Sequence, residues 1–317
     1  MTMEIISKGL HSTGKYLITV IPVMAVSIYA MNLLQNSGMI RRISWISKPL
    51  VTFGHLKEPM GITFITSFGS PSAANAMLKG LYDKRSISQR ELMISVLANA
   101  FPVMVMEMRS MLPVMASLLG ETGVFIFCLL LLLRFIQTII VLFAGRLLLP
   151  GDGDLDENAI PEMVLFRGKA LLKQSLRDTF PSIKRIILIT TPVTVVTFIL
   201  LEAGVFSALS DKIQFFGKLF PVPMEGMGII AAYFGHYVAG YTMAGNLLSS
   251  HTLTVKETVL TLLSAKVLTS ILFAIRHSTP YYIGIFGSRL GSQIMLASTM
   301  LRNAINIAAI FILYFIW

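Results

Sequence analysis

A stretch of 19 residues without a charge, from Tyr16 to Leu34, is the feature that most restricts how this chain can fold. A helix needs about 20 apolar residues to cross a bilayer, so the stretch predicts a membrane span rather than the short core of a signal peptide. The composition agrees, because only 13% of the 317 residues are charged, against about 25% in soluble domains. We therefore expect an all-α integral membrane protein.

Several classes of function lack their usual sequence evidence. The chain has no Gly-x-x-x-x-Gly-Lys-Ser/Thr phosphate loop, no His-Glu-x-x-His and no pair of Cys-x-x-Cys motifs, and Cys128 is its single cysteine. We therefore expect no cofactor, no bound metal and no catalytic activity. The net charge of +10 comes from Lys and Arg spread between apolar runs, which suits loops at a membrane surface. A lipid bilayer is thus the expected partner and nucleic acid is not.

The second half of the chain repeats the first about 166 residues later. The ordered matches are Gly38 with Gly204, Pro59-Met60 with Pro223-Met224, Phe68-Gly69 with Phe234-Gly235, Glu91 with Glu257, Arg109-x-x-x-Pro113 and Gly120 with Arg276-x-x-x-Pro280 and Gly287, and Leu133-Arg134 with Leu301-Arg302. Charged residues, Pro and Gly are rare in an apolar background, so the set predicts a duplication. The predicted parts are a membrane repeat at 1–149, a cytoplasmic linker with an amphipathic helix at 150–185, and a second membrane repeat at 186–317.

Each repeat is expected to contain about three crossings and one broken helical segment. In the first repeat the crossings are 16–34, 91–119 (broken near Pro102 and Pro113) and 122–145. The segment 61–78 is interrupted at Phe68-Gly69-Ser70-Pro71-Ser72, and Gly followed closely by Pro breaks a helix. Its two flanks each carry four Lys or Arg, which favours a re-entrant hairpin over a kinked span, although both stay open.

An odd number of crossings per repeat predicts that the second repeat enters the membrane upside down. Basic residues accumulate in cytoplasmic loops, so the two orientations make different predictions about charge. The loops at 41–57 and 79–90 together hold eight Lys and Arg, whereas the equivalent segments 203–224 and 245–257 hold three. The contrast favours inverted repeats, with the linker in the cytoplasm and both termini outside.

This pattern of a leading helix, a Gly69-Ser70-Pro71-Ser72 break before a basic loop, and a proline-containing crossing, all duplicated in inverted form, resembles the gate-domain group. That group, also called the nucleoside-recognition domain group, includes spore-maturation proteins, B-type ferrous iron permeases and concentrative nucleoside transporters. The resemblance implies a permease core with re-entrant hairpins beside the transport path. It does not name the ligand, because the iron permeases' GTP-binding loop and the nucleoside transporters' hairpin acids and amides are not reproduced here.

Two repeated arginines dominate the candidate site. Arg109 and Arg276 each lie inside an apolar crossing, where a guanidinium costs at least about 2.5 to 3.5 kcal/mol. They line a path for an anion as a symmetric pair, or they are structural residues at the membrane surface or paired with Glu107; both interpretations stay open. Arg134 and Arg302 recur likewise and are expected to be packing anchors. The predicted substrate-binding set is Ser70, Ser72, Asn75, Asn99, Arg109, His236, Tyr241, Asn246, Lys266, Arg276 and His277.

The leading hypothesis is a secondary permease of the cell membrane that moves a small polar or anionic solute by alternating access between the repeats. The alternative is a non-transporting membrane scaffold or a subunit of a larger complex. A homo-oligomer is compatible with either.

Overall fold

The computed structural model describes residues 2–37, 49, 52–149, 167–202 and 220–317, and every regular element in these ranges is helical. The first half contains α1 (Thr2–Asn36), α2 (Glu58–Thr66), α3 (Pro71–Asp83), α4 (Gln89–Ala98), α5 (Ala100–Leu119) and α6 (Glu121–Leu148). The second half contains α7 (Gly168–Glu202), a 3₁₀ turn (Met224–Gly226), α8 (Met227–Gly235), α9 (Tyr237–Ser249), α10 (Val255–Leu268), α11 (Ser270–Phe273), a π turn (Ala274–Ser278), α12 (Thr279–Phe286) and α13 (Ser288–Ile316).

Three helical stretches of the described chain are long and apolar enough to cross a membrane. They are Gln89–Leu119, which joins α4 to α5, Glu121–Leu148, and Ser288–Ile316. The shortest has 28 residues, which at 1.5 Å per residue gives a length of about 42 Å, more than the hydrocarbon core of a bilayer. The expected all-helical fold, with helices long and apolar enough to span a membrane, is confirmed for the described residues.

The stretch Gln89–Leu119 breaks near Pro102, as expected, but not near Pro113. The break lies at Asn99, and Pro102 follows in the first turn of α5, where a missing N–H costs no helical hydrogen bond. Pro113 lies inside α5, which continues to Leu119. Its counterpart Pro280 instead falls at the start of α12, directly after the π turn.

Helices in the two halves correspond in length and in position. The helices α1 and α7 both have 35 residues and begin at Thr2 and Gly168. The helices α3 and α9 both have 13 residues and follow an extended residue, Ser70 or His236. Both of these residues cap the helix, because the Ser70 hydroxyl accepts a hydrogen bond from the Ala73 N–H and His236 Nδ1 accepts one from Val238 N–H, each at 3.2 Å.

The turns correspond as well. Arg85 after α3 and His251 after α9 both have the left-handed conformation, with φ of 57° and 54°, which is uncommon for residues other than glycine. Gly120 and Gly287, which join α5 to α6 and α12 to α13, also have positive φ. Each pair is 166 or 167 positions apart.

One helix crosses a predicted boundary. The sequence separates a linker at 150–185 from a membrane repeat beginning at 186, whereas α7 runs without interruption from Gly168 to Glu202. This helix packs along α1, and the Asn32 amide donates a hydrogen bond to the Thr179 hydroxyl at 2.9 Å between them.

Both α4 and α10 begin with a capping box. The Ser88 hydroxyl accepts from the Glu91 N–H at 3.3 Å, and the Glu91 carboxylate accepts from the Ser88 N–H at 2.7 Å. Thr254 and Glu257 repeat the arrangement at 3.3 and 2.8 Å. Only the first box has a described ion pair, between Glu91 and Lys57 Nζ at 2.7 Å, with the Glu91 side chain buried.

This difference predicts unequal costs for the same substitution. Glu91→Ala should lower the free energy of unfolding by about 2 kcal/mol, because it removes a cap and also the ion pair with Lys57, whose side chain is 34% exposed and regains hydration. Glu257→Ala should cost about 1 kcal/mol, the value of the cap alone. Thermal denaturation of the two purified variants in detergent measures the difference, and equal midpoints would contradict the role given to Lys57.

The helices of the two halves meet in the middle of the molecule. There α9 packs against α5, α12 against α3, and α13 against both α4 and α6. The buried core that includes Met115, Phe127 and Leu130 of the first half also contains Tyr241 and Ile310 of the second. The same core contains residues of α5, α6, α10 and α13, so these four helices bring side chains to the region where the halves meet.

Candidate functional site: a charged cluster between the halves

The two sides of α6 differ in polarity. Along one side, apolar residues at spacings of three or four are exposed, as expected for a face in contact with lipid: Leu132, Ile136, Ile140, Phe143 and Leu147. On the opposite side Arg134, Gln137 and Thr138 are buried. The charge that α6 carries in its apolar stretch therefore points into the protein.

Side-chain amides hold the guanidinium of Arg134. Its Nη1 donates to Gln137 Oε1 one turn along the helix, and its Nη2 lies 3.5 Å from Asn306 Oδ1 on α13. Because both acceptors are neutral amides, the positive charge of Arg134 is oriented without being neutralised.

Buried polar groups lie at the break between α4 and α5. The Thr138 hydroxyl donates to the Ala98 carbonyl at 2.8 Å and accepts from the Phe101 N–H at 3.0 Å, so it satisfies backbone groups released by the break. The Asn99 side chain at the break is buried, and neither its amide nitrogen nor its oxygen has a hydrogen-bond partner among the described residues. A buried amide without partners is costly, and such a group is available to a ligand or to water.

Four ionisable side chains converge on this region, one from each of four helices. Glu107 comes from α5, Arg134 from α6, Lys266 from α10 and Arg302 from α13. The Glu107 carboxylate lies within electrostatic range of all three cations, and Arg134 and Arg302 lie within range of each other. We call these four residues the charged cluster.

The members of the charged cluster are close but not paired. Within the described chain, no cation comes within 4.0 Å of the Glu107 carboxylate, and no side-chain hydrogen bond of Lys266 or Arg302 is formed. Arg302 lies with its guanidinium 5.8 Å from the centre of the Phe273 ring, a contact that leaves its N–H donors unused. Removing a charge from water costs several kcal/mol when no partner replaces the water. The cluster is thus suited to binding an ion.

Three members of the charged cluster are accessible. Glu107 is exposed and Lys266 and Arg302 are partly exposed, whereas Arg134 is buried. Accessible guanidinium and ammonium groups are suited to binding carboxylate, phosphate or sulfate.

Comparison with known proteins places the chain among full-length relatives. The uncharacterized protein MJ1556 of Methanocaldococcus jannaschii is 32% identical over 313 residues, which cover 98% of this chain and 98% of the relative. The chain belongs to the MJ1556 family. The uncharacterized proteins MJ0880 and MJ0871 of the same organism are 22% and 26% identical over 302 and 304 residues, covering 94% and 95% of this chain and 97% and 94% of the relatives. No profile of a known protein family matches the chain, and no solved structure does.

The match to MJ1556 extends over the whole chain rather than over one half of it. Because the match to MJ1556 covers 98% of each chain, it includes both halves and all four helices of the charged cluster.

The predicted residues of the first hairpin lie in different surroundings. Ser70 and Ser72 are exposed at the start of α3. Asn75, one turn further on, is buried and donates a hydrogen bond to the Tyr281 hydroxyl at 3.0 Å. Of these three residues, Asn75 is the one with a described hydrogen bond to the other half of the protein.

The second hairpin places its predicted residues at different depths. His236 is half-buried and caps α9, whereas Tyr241 is fully buried and packs edge-to-face against the Tyr233 ring. Asn246 is half-buried near the end of α9. His277 is exposed in the π turn and lies within electrostatic range of His236.

Arg109, one of the two arginines predicted to bind the solute, is not in the charged cluster. Arg109 is exposed and makes no ion pair with a described residue. It follows Glu107 by two positions, which places the two side chains on different faces of α5. The side chain of Arg276 lies outside the described part of the structure. Of the predicted set, Lys266 is the member that the cluster contains.

Sequence reasoning missed Glu107 as a binding group and treated Arg134 and Arg302 as anchors. The signal that could have found them is the repeated Leu-Arg pair, since a charge retained at the same place in both halves is brought to one central region when the halves pack together. Gln137 and Asn306, which orient Arg134, gave no comparable signal, because the two positions do not match in the repeat.

Proposed function

We propose that this member of the MJ1556 family is a secondary permease for a small oxyanion, and that the charged cluster is its binding site. The observation that carries the proposal is the convergence of Arg134, Lys266 and Arg302 from both halves with one carboxylate, Glu107. Three cations and one acid give a net charge of +2 within the described cluster. A doubly charged anion neutralises this charge better than a singly charged one. The interaction is stronger inside the protein than in water, because the dielectric constant is lower there.

The transport path follows from the correspondence of the two halves. Matching helix lengths, helix caps and left-handed turns support a duplicated chain, and the uneven distribution of Lys and Arg supports inverted orientation. In this account the protein is a multi-pass protein of the cell membrane, with three crossings per repeat and with α2–α3 and α8–α9 as re-entrant hairpins. The resemblance to the gate-domain group supports the same arrangement. Rocking of one repeat against the other then exposes the cluster to each side in turn.

Thermal denaturation of the purified protein tests the binding site. The denaturation midpoint is measured in sodium sulfate, sodium phosphate or disodium succinate and is compared with the midpoint in choline chloride at equal ionic strength. Uridine is the neutral control. We expect saturable stabilisation by at least one oxyanion and none by uridine, because a ligand that binds only the folded state raises the midpoint.

A matched pair of variants is required, since sulfate also stabilises proteins through exclusion from their surface. Arg302→Gln removes a cluster cation, whereas Arg289→Gln removes an exposed arginine from the first turn of the same helix. The saturable shift should disappear in the first variant and persist in the second. Equal shifts in both variants, or no shift with any anion, would rule out the cluster as an anion site and would favour the non-transporting scaffold.

The inverted arrangement makes a separate prediction about topology. Lys84 and Ser250 are exposed residues at the ends of α3 and α9, 166 positions apart. Single cysteines at these positions, in a Cys128→Ala background, should react with an impermeant thiol reagent from opposite sides of the membrane. Reaction of both from the same side would contradict inverted repeats while leaving the charged cluster intact.

A further inference from the structure

We infer that the first turns of α7 bind anionic phospholipid, through a row of cations beside a row of exposed apolar side chains. The inference concerns the lipid around the protein and not its solute. It therefore does not depend on the charged cluster or on transport.

An exposed apolar ridge runs along this part of α7. Leu172, Leu176 and Phe180 are 51%, 62% and 73% exposed. Residues four positions apart are neighbours on a helix, so the three side chains form one continuous surface. A continuous apolar surface that is open to the outside is typical of a site for a membrane or for another protein.

A row of cations runs beside this ridge. Lys169, Lys173 and Arg177 are exposed, and each precedes a member of the ridge by three residues. Positions three apart are also neighbours on a helix, so the two rows lie side by side. None of the three cations forms an ion pair with another described residue, which leaves their charges available to an anion. We call the three cations and the three ridge residues the α7 face.

The other side of α7 is held against α1. Ser175 and Thr179 are buried, and their hydroxyls accept hydrogen bonds from the Asn36 and Asn32 amides at 3.1 and 2.9 Å. Asp178, the acid of these turns, accepts from the Asn36 amide at 3.0 Å and so lies on this side as well. These contacts fix the rotation of the helix about its axis, and the α7 face consequently points away from α1 and contains no acid.

The chemistry of the α7 face matches an anionic leaflet. Acyl chains cover the apolar ridge, and the aliphatic stems of Lys and Arg lie along it while their charges reach the phosphates. A zwitterionic headgroup carries its own ammonium, so phosphatidylglycerol should bind more tightly than phosphatidylcholine. One cation near an anionic surface contributes about 5-fold to binding. A protein partner would need an apolar groove flanked by a matching row of acids, whereas an anionic membrane supplies both features together.

Fluorescence quenching by brominated lipids measures the preference at this face. A bimane label is attached to Leu176→Cys in a Cys128→Ala background, and the full-length protein is placed in phosphatidylcholine nanodiscs. Brominated phosphatidylglycerol or brominated phosphatidylcholine is then added, since bromine quenches a fluorophore that it contacts. At low salt we expect the anionic lipid to bind beside the label at least about 5-fold more tightly than the zwitterionic one.

Two triple variants, which remove equal charge, assign the preference. In the first, Gln replaces the three cations of the α7 face, and the two brominated lipids should then quench equally. The second is Lys84→Gln/Arg85→Gln/Arg90→Gln, which removes three exposed cations at the turn between α3 and α4 and should retain the preference. Equal losses in both variants would overturn the inference, because net charge alone would then account for the preference.

The other outcomes also decide. Equal quenching by the two lipids in the charge-intact protein overturns the inference. Quenching by neither lipid overturns it as well, because another protein or a second copy of the chain then covers the ridge. If the first triple variant does not fold, salt takes its place: in molar NaCl the screening length is about 3 Å, so the preference of the charge-intact protein must disappear. A preference that survives molar salt overturns the role of the cations.

Discussion

Arg302→Gln should weaken sulfate binding by about 10- to 100-fold, the equivalent of one lost charge-assisted hydrogen bond or slightly more. Arg302 is the cluster cation best suited to this test, since its guanidinium donates no hydrogen bond to a described residue. Its donors are therefore available to the solute, and their removal disturbs few protein contacts. Arg134→Gln should also weaken binding, but it additionally breaks the contacts with Gln137 and Asn306.

Two further variants make the result interpretable. Arg302→Lys should not restore full affinity, because an ammonium lacks the flat fork of donors that fits an oxyanion. Arg109→Gln tests the alternative site predicted from the sequence, in which Arg109 and Arg276 bind the solute as a symmetric pair. Calorimetry on monodisperse protein gives the affinities, and a loss in Arg109→Gln equal to that in Arg302→Gln would move the binding site away from the charged cluster and toward the Arg109–Arg276 pair.

Gly123→Ala and Gly291→Ala should each destabilise the protein by about 3 kcal/mol. A Cβ on Gly123 would lie 2.0 Å from the Met115 carbonyl oxygen, and one on Gly291 would lie 2.6 Å from the Tyr282 carbonyl oxygen. Both obstacles are backbone atoms of the preceding helix, which cannot move aside as a side chain can. The α5–α6 and α12–α13 pairs would have to separate.

Gly284→Ala is the matched control for these two substitutions. It lies inside α12, and a Cβ there would meet nothing within 4 Å. Alanine is the better helix former by about 1 kcal/mol, so this variant should be as stable as the unmodified protein or slightly more stable. Midpoints of thermal denaturation in detergent distinguish the three variants. Similar midpoints for Gly123→Ala and Gly284→Ala would show that the close helix contact is not required.

The break between α2 and α3 was predictable because local chemistry specifies it. Gly69 and Pro71 interrupt the apolar segment 61–78, and the structure ends α2 at Thr66 and begins α3 at Pro71. In the next crossing the break near Pro102 was also predicted, whereas the break expected near Pro113 was wrong, since Pro113 is accommodated within α5. Whether a proline ends a helix depends on neighbouring helices, which no local pattern contains.

The site was harder to predict because it depends on which helix faces meet. Lys266 was proposed from its position in an apolar crossing, and it does belong to the charged cluster. Arg134 and Arg302 are 168 positions apart in the chain and interact only because α6 and α13 pack together. The sequence shows that burying each guanidinium costs free energy, but it does not show that the two share one region with Glu107.

Counterflow of radiolabelled sulfate into proteoliposomes tests the central claim most directly. Vesicles that contain the purified protein and are loaded with unlabelled sulfate should accumulate the label transiently. Vesicles with Arg302→Gln should not accumulate it. Vesicles with Arg289→Gln should behave as those with the unmodified protein do. If sulfate binds to the protein in detergent but label enters protein-containing vesicles no faster than empty ones, the charged cluster binds an anion without transporting it, and the permease account is wrong.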